Sequence, residues 1–550
     1  MAFDALKSGY AERMSSGRAL CRDGGPFVAP GEATRLLEAL IRPGDRVCIE
    51  GNNQKQARFL ARRLCEADPS RVRDLHLVQS SIVLDEHVEL VDRGLATRLD
   101  FSYSGPQAKA LYGLVRDRKA RIGAIHTYIE LYGRYFVDLA PKVALVGAEK
   151  CDSAGNLYTG PNTEDTPVIC EATKVKSGIV VAEVTELVDE LPRVDIPADW
   201  VDFIVVTGEG CHIEPLFTRD PARITEKQVL IAMMALKGIY CEYGVRSLNH
   251  GIGFPTAAVE LLIPTYGAEL GMKGEVCTHW VLNPHPTLIP AIEAGFVENV
   301  YSFGSEPGMA PYVEARPDVF AMGPDGTMRS NRLNAHTAGL YAVDLFAGAT
   351  FQIDRYGNSS TAIEGMIAGF GGAPNLGSSP PGRRHMTGAL KKAGGLREGA
   401  FHGRKLVVQL TPTRAEKKDV PVFVEDLDAV KLAREGLFDV PPVMISGDQV
   451  THIVTELGVA YLDRCRGVEM RQRAIAAVAG DTPLGSTSGE ADLDELRRSK
   501  IVQTPGDLGL DRSRATREML AARDIPDLVR ISGGLYDPPE SVMPRPKTSR

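Results

Sequence analysis

The sequence predicts an α/β protein made of two similar halves in tandem, each a largely parallel sheet flanked by helices. Three observations predict it. Strand-like apolar runs alternate with runs apolar at helical spacing through most of the 550 residues. Paired landmarks recur at a near-constant offset. The composition, 43% hydrophobic and 24% charged, is that of an ordinary globular chain long enough for several domains.

The alternation begins after a polar N-terminal lead-in, residues 1–24. "GEATRLLEALI" is apolar at helical spacing, and "PGDRVCIEG" is a turn feeding a short strand. "NNQKQARFLARRL" resumes a helical period, with Phe59, Leu60 and Leu64 on one face. Further strand-like runs follow at "RDLHLVQS", "TRLDFSYSG", "RIGAIHTYIE", "KVALVGAEK", "GIVVAEVTEL" and "VDFIVVTGE".

The landmarks then recur. Gly51 opens "GNNQ" and Gly251 opens "GIGFP", 200 residues on. Gly94 and Gly295 each precede a strand-like run, 201 residues apart. "DSAGN" at Asp152 and "DRYGN" at Asp354 are 202 apart. One such match is a common hairpin turn, since Gly and Asn tolerate left-handed backbone and Asp bonds local amides. Three in register point to a duplication. The expected units are residues 25–220 and 221–480, followed by a C-terminal extension over 481–550. The natural site is the cleft between the halves, at the carboxyl ends of the strands.

Composition excludes several classes. A net charge of −8 argues against a nucleic-acid partner. No window reaches the ~18 uninterrupted apolar residues of a membrane span, and the N-terminus has no signal-peptide core. The nine cysteines form no CxxC and read as reduced thiols, so the expected location is cytoplasmic.

Several loops carry candidate chemistry. "EGNNQ" lies between a strand and a helix, where backbone donors and the amides of Asn52, Asn53 and Gln54 suit a carboxylate, thioester or phosphate oxygen; a plain helix cap needs only one Asn. "YTGPNTEDTP" is a polar loop offering Asn162. In "LNHGIGFP", Gly251 and Gly253 let a ligand approach the backbone. "CTHWVLNPHP" gathers His279, Trp280, Asn283 and His285; no thiolate or carboxylate completes a zinc spacing, so no metal is expected and a buried, satisfied His is the plain alternative. "AGFGGAPNLG" departs from a dinucleotide fingerprint because Pro374 interrupts the helix start, and reads as a backbone-lined turn. Arg383 and Arg384 are either phosphate partners or a solvated pair.

Taken together, "EGNNQKQA", "HTYIELYGRYFVDL", "NLYTGPNTEDTPVI", "NHGIGFPTAAVELL", "THWVLNPHPTLIPAIEAGFV" and "GNSSTAIEGMIAGFGGAPN" resemble the malonate decarboxylase α-subunit family, a branch of the CoA-transferase-like proteins. The resemblance runs from about residue 35 to 480. It implies transfer of an acyl carrier protein, bearing a phosphopantetheine or dephospho-CoA-type thiol, from acetyl to malonate, giving malonyl-S-carrier and acetate. It also implies a complex with the carrier and decarboxylase subunits, with no cofactor bound covalently to this chain. Covalent CoA transferases carry Ser-Glu-Asn-Gly on the strand that here reads "GEVCTHWVLNPHP", and Glu275 stands only at its beginning. The expectation is therefore a mixed anhydride without a protein nucleophile. Asn52, Gln54, Asn283 and Gly371 are the expected catalytic positions. Gly51, Asn53, Asn162, Asn249, Gly251, Gly253, His285, Gly372 and Asn375 are the expected binding positions. A free CoA transferase, an acyl-CoA hydrolase and a non-catalytic carrier-docking scaffold remain as alternatives.

Overall fold

The computed structural model describes residues 9–22, 24–51, 55–160, 163, 165–302, 304, 306–322, 343–377, 405–415 and 419–543. The first sheet takes nine strands: β1 (Phe27–Val28), β2 (Arg46–Ile49), β3 (Leu75–Val78), β4 (Ala96–Phe101), β5 (Arg121–Ile125), β6 (Val143–Cys151), β7 (Leu157–Tyr158), β8 (Ile179–Leu187) and β9 (Phe203–Val206). Their order is β1-β9-β8-β6-β2-β3-β4-β5, all parallel except β7, which pairs antiparallel with β6.

The second half supplies β10 (Ser247–His250), β11 (His279–Val281), β12 (Asn299–Tyr301), β13 (Leu345–Gly348), β14 (Gln352–Ile353), β15 (Ser359–Ser360), β16 (Ala362–Ile363), β17 (Met366–Ile367), β18 (Leu406–Leu410), β19 (Arg414–Ala415), β20 (Val420–Pro421), β21 (His452–Thr455), β22 (Gly458–Tyr461) and β23 (Val502–Gln503). Its eight-stranded sheet runs β12-β11-β10-β13-β18-β21-β22-β23, parallel as far as β21 and antiparallel beyond; the other strands form three small hairpins.

One strand order is written twice. The path β4-β3-β2-β6-β8-β9 of the first sheet is repeated by β12-β11-β10-β13-β18-β21 of the second. The two Asp-x-x-Gly-Asn turns match bond for bond. Asp152 accepts from Asn156 N and Nδ2 at 2.9 and 2.8 Å, and Asp354 accepts from Asn358 N and Nδ2 at 2.9 Å each. Gly155 and Gly357 take φ of +93° and +84°, which glycine adopts without a Cβ clash. Each Asn then anchors a distant loop: Asn156 Oδ1 accepts from Ala198 N at 3.0 Å, and Asn358 Oδ1 from Gly447 N at 2.9 Å.

Side chains alternate across each sheet with the strand period of two. Val47, Ile49 and Leu77 of the first sheet and Phe346, Val407 and Ile453 of the second belong to one continuous core. Cys48 and Val78 face a second core, and Leu345, Ala347 and Val408 a third. The halves also share hydrogen bonds. Ile122 N donates to Leu437 O at 3.3 Å and Asp439 N to Ile122 O at 3.0 Å, so a second-half segment lies along the β5 edge.

Several segments differ from the sequence reading. The lead-in contains a helix, Tyr10–Arg18, docked on the first sheet; a Cβ at Gly17 would lie 2.5 Å from Phe203, and Arg13 pairs with Asp45. The helix after "EGNNQ" starts only at Arg58. The segment beyond 480 supplies β23 and a fully buried Tyr536 in the second-half core. No helix among the described residues is long and apolar enough to cross a membrane.

Candidate active site

A cavity of about 500 Å³ opens between the halves. Tyr103 and Tyr128 reach it from beyond β4 and β5, and Asn249 to Phe254 and Leu282 to His285 from β10, β11 and the turns after them. These are carboxyl ends of strands, where a parallel sheet leaves its ligand crevice. Gly348 and Phe351 follow β13, and Gly369 to Leu376 close the floor.

Within the described residues, the wall holds several buried polar atoms without a partner. Asn249, Asn283, His285 and Asn375 are all buried, between 3% and 6% exposed. Asn249 Nδ2 donates to Val281 O, which leaves its Oδ1 without a partner. Asn375 Oδ1 accepts from Thr127 Oγ1 at 2.6 Å across the two halves, which leaves its Nδ2 without one. Asn283 Nδ2 and His285 Nε2 are also unpaired. A buried polar atom left unpaired costs about 1–3 kcal/mol. Four such atoms belong to residues that line this one cavity.

A cationic element borders the same space. Glu306 accepts from Phe217 N at 3.1 Å, Thr218 N at 2.7 Å and Thr218 Oγ1 at 2.5 Å, fixing the connector that presents Arg219. Burial pushes the Glu306 carboxyl up to about 7, against those three donors. Arg219 Nη1 donates to Thr218 O at 2.9 Å, and its guanidinium sits 5.9 Å from the Phe254 ring centroid, with Arg223 at 5.0 Å from the same ring. Among the described residues neither arginine has an ion-pair partner. Burial draws the Arg219 pKa below its ordinary value, the environment of a cation that gains from an anion.

Beneath the wall lies a buried chain of donors. Glu260 Oε1 meets His250 Nδ1 at 2.9 Å and His285 Nδ1 at 3.0 Å, while Thr287 Oγ1 donates to Glu260 Oε2. Tyr240 OH meets His250 Nε2 at 2.8 Å. Burial would raise the Glu260 carboxyl, but the two imidazoles carry it well below the usual carboxylate range. Tyr240 is placed by a π-helical segment, Leu236–Cys241, that continues the helix Glu226–Ala235.

A family model described as "Malonate decarboxylase, alpha subunit, transporter" matches residues 2–543. A curated relative from Malonomonas rubra, acetyl-S-ACP:malonate ACP transferase, is 55% identical over 545 residues, 98% of either chain. The chain belongs to the malonate decarboxylase α-subunit family.

Solved structures agree with membership in the malonate decarboxylase α-subunit family. The chain superposes on one from a Pseudomonas malonate decarboxylase hetero-tetramer in complex with malonate, with a TM-score of 0.90, 51% identity and 98% of both chains covered. The α subunit from Acinetobacter baumannii gives 0.89 and 50%, covering 98% of this chain and 99% of that one. A putative citrate lyase α subunit from Streptococcus mutans, 16% identical with a TM-score of 0.59 over 84% of this chain and 86% of that one, shares the fold.

In this member of the malonate decarboxylase α-subunit family the expected positions separate into three groups. Asn249, Gly251, Gly253, Asn283, His285, Gly371, Gly372 and Asn375 all line the cavity. Gly51 does not; it accepts from Ser80 Oγ at 2.8 Å, and a Cβ there would meet Gln56. Asn52, Asn53, Gln54 and Asn162 lie outside the described residues, as do Arg383 and Arg384. Two backbone donors are already spent. Gly371 N–H donates to Ser102 O at 2.9 Å and Gly251 N–H to Ala347 O at 2.7 Å, so neither amide can serve an oxyanion. Pro374 does not interrupt a helix. It sits in the first turn of Ala373–Leu376, where a missing N–H costs nothing.

Arg219, Arg223, Glu260 and Glu306 escaped the sequence reading. The lone acid in the apolar run "PTAAVELLI" was the available signal for Glu260, since a charge inside a buried helix needs partners. Arg219 and Arg223, in "FTRDPARI", look like solvated residues of a connector.

Proposed function

We propose that this chain transfers a thiol carrier from acetyl to malonate, producing a malonyl thioester and acetate. The carrier's phosphopantetheine-type arm is a substrate here, belonging to a separate carrier protein, and CoA is its soluble analogue. We further propose that units 25–220 and 221–480 share one site, that the chain works in a complex with carrier and decarboxylase subunits, and that it does so in the cytoplasm. The observation that carries the reading is the cavity between the halves, lined by residues whose buried amide and imidazole atoms lack a partner among the described residues and bordered by Arg219, which has no ion-pair partner among them.

The chemistry follows from the donor set. Malonate is a dianion, and Arg219 with Arg223 offers planar, charged donors for the carboxylate that does not react. The other carboxylate attacks the acetyl thioester, forming a mixed anhydride and releasing the thiolate. The thiolate then attacks the malonyl carbonyl and expels acetate. Holding the reactants in line is worth ~7 kcal/mol or more of barrier. Each donor aimed at a tetrahedral oxyanion adds ~3–4 kcal/mol. Among the described residues, Asn283 Nδ2 and Asn375 Nδ2 are the cavity-lining side-chain amide donors without a protein partner.

The test is mass spectrometry of a carrier thioester, or of acetyl-CoA, after malonate is added. Conversion to the malonyl thioester with release of acetate supports the reading. Thioester loss that needs no malonate would instead indicate a hydrolase. Carrier binding without exchange would indicate a scaffold. A trapped thioester on a carboxyl of this chain would overturn the mixed-anhydride route.

A further inference from the structure

We infer that His285, oriented by Glu260, is the group that takes charge of the sulfur between the two half-reactions. This rests on the transfer reading above and supplies what that reading lacks. The difficulty is a leaving-group problem. When malonate adds to the acetyl thioester, the tetrahedral intermediate carries a carboxylate oxygen and a sulfur. A thiol ionises near ~8.5 and a carboxyl near ~4, so the carboxylate is the better leaving group by roughly four units. Left alone, the intermediate expels malonate and nothing is transferred. Productive collapse needs a proton or a cation at sulfur.

Among the cavity-lining histidines of the described residues, one ring nitrogen has no protein partner, His285 Nε2, on the side of the ring away from the Nδ1 that meets Glu260. The ring cannot easily turn away. Its Nδ1 is 3.0 Å from Glu260 Oε1, and its face stacks on Phe217 with centroids 5.1 Å apart and planes at 20°. Glu260 is itself held by His250 at 2.9 Å and by Thr287. An ionised Glu260 accepts the Nδ1 proton and directs the exchangeable site of the imidazole to Nε2. The charged or titratable groups facing His285 are Glu260 and His250 below it and Glu306 and Arg219 on the connector side.

The step balances. Imidazolium Nε2–H stands beside the sulfur as the malonate oxygen bonds to the acetyl carbon. The C–S bond breaks, its electron pair goes to sulfur, and the Nε2 proton pairs with or moves to the thiolate. In the second half, sulfur attacks the malonyl carbon of the anhydride and any proton it took returns to Nε2. The C–O bond breaks and acetate leaves with that pair. No proton is gained or lost overall, and no other reagent is consumed.

The experiment uses the full chain with acetyl-CoA, malonate and CoA. His285→Asn keeps an amide N–H where Nδ1–H was, so the bond to Glu260 survives while the cavity nitrogen is lost. A purely structural histidine would lose its packing on Phe217 and show it in the melting temperature, leaving the kcat of the folded enzyme unchanged. The expectation is a kcat lowered by ~100-fold or more, with KM for malonate within about threefold of wild type. Bound CoA gives a second readout, its thiol ionisation followed by thiolate ultraviolet absorbance. Wild type should depress the thiol pKa by about one unit or more relative to free CoA, and His285→Asn should abolish that depression. His285→Phe, which keeps a ring on Phe217 and has no nitrogen, should abolish it too, which keeps the test intact if the Asn variant folds poorly. Unchanged turnover in His285→Asn, or an equally depressed thiol in both variants, would overturn the inference while wild-type exchange left the transfer reading standing. Absence of exchange in wild type would remove both.

Discussion

The amide of Gly371 donates to the carbonyl of Ser102 at 2.9 Å, joining a second-half loop to a first-half strand end. The neighbouring Phe370 N donates to the same oxygen at 2.6 Å, and Ser104 N donates back to Ala368 O at 3.0 Å. The glycine-rich loop is therefore a clasp that closes the cavity floor, and its backbone amides hold the halves together.

The clasp predicts that Gly369→Ala is costly. Gly369 has φ +78°, and a Cβ there would lie 2.5 Å from Ser102 O and 2.8 Å from Tyr103 Cα, backbone atoms that cannot swing aside. A loss of about 2–3 kcal/mol is expected. Thermal melts should show a fall of several degrees, together with slower acetyl-to-malonyl exchange.

Arg219 should govern malonate affinity. Arg219→Lys keeps the charge but loses the planar fork. Steady-state kinetics should give a KM for malonate raised by about tenfold, and by more in Arg219→Ala. The KM for the acetyl thioester should stay close to wild type.

Asn283→Ala and Asn375→Ala should each lower kcat by roughly 100-fold, the size of one lost oxyanion donor. The melting temperature of Asn283→Ala should move little, because the deleted Nδ2 has no protein partner among the described residues, whereas Asn375→Ala also removes the acceptor of Thr127 Oγ1 and should melt lower. Thr127→Val should give a smaller loss of about five- to tenfold, since Thr127 orients the Asn375 amide, together with a stability loss of about 1 kcal/mol, since its hydroxyl also caps the helix Tyr128–Tyr135 by accepting from Glu130 N at 3.1 Å.

A pH dependence of stability follows from Glu183. It is buried on β8 and accepts from Leu60 N at 2.7 Å; burial pushes its carboxyl up to about 8, with Glu50 adding to the rise. In the unfolded chain it ionises near the ordinary carboxylate value. Between about pH 5 and 8 the folded form therefore holds a proton that the unfolded form has lost. Stability from this group is complete at low pH and declines as pH rises through that window, by on the order of a few kcal/mol. Melts of wild type and Glu183→Gln across this range should converge at low pH and favour the variant at high pH. A constant difference between them would contradict it.

The duplicated architecture was legible because its signals are local. Asp152 and Asp354 fold their own neighbourhoods, and the helix and strand periods read directly from apolar spacing. Asn249, Asn283 and Asn375 stood out in the sequence as amides in glycine- and proline-rich loops, and all three line the cavity. What stayed hidden depends on contacts between distant segments. Nothing near Gly371 in sequence reveals that Ser102 takes its N–H. Nothing near Arg219 reveals that Glu306 holds its connector from 87 residues away. Glu260 acquires meaning only when β10 and β11 bring His250 and His285 to it.

The short strand β23 has a consequence for how this chain behaves in solution. It lies antiparallel against β22 over two residues and ends the second sheet there. Without it, β22 would present a longer row of bare amides and carbonyls, a template on which another copy could grow. A shortened chain lacking residues after 480 should be prone to clump, with a surface free to zip onto its neighbours. The tail works as a hem that stops the fabric from fraying into aggregates.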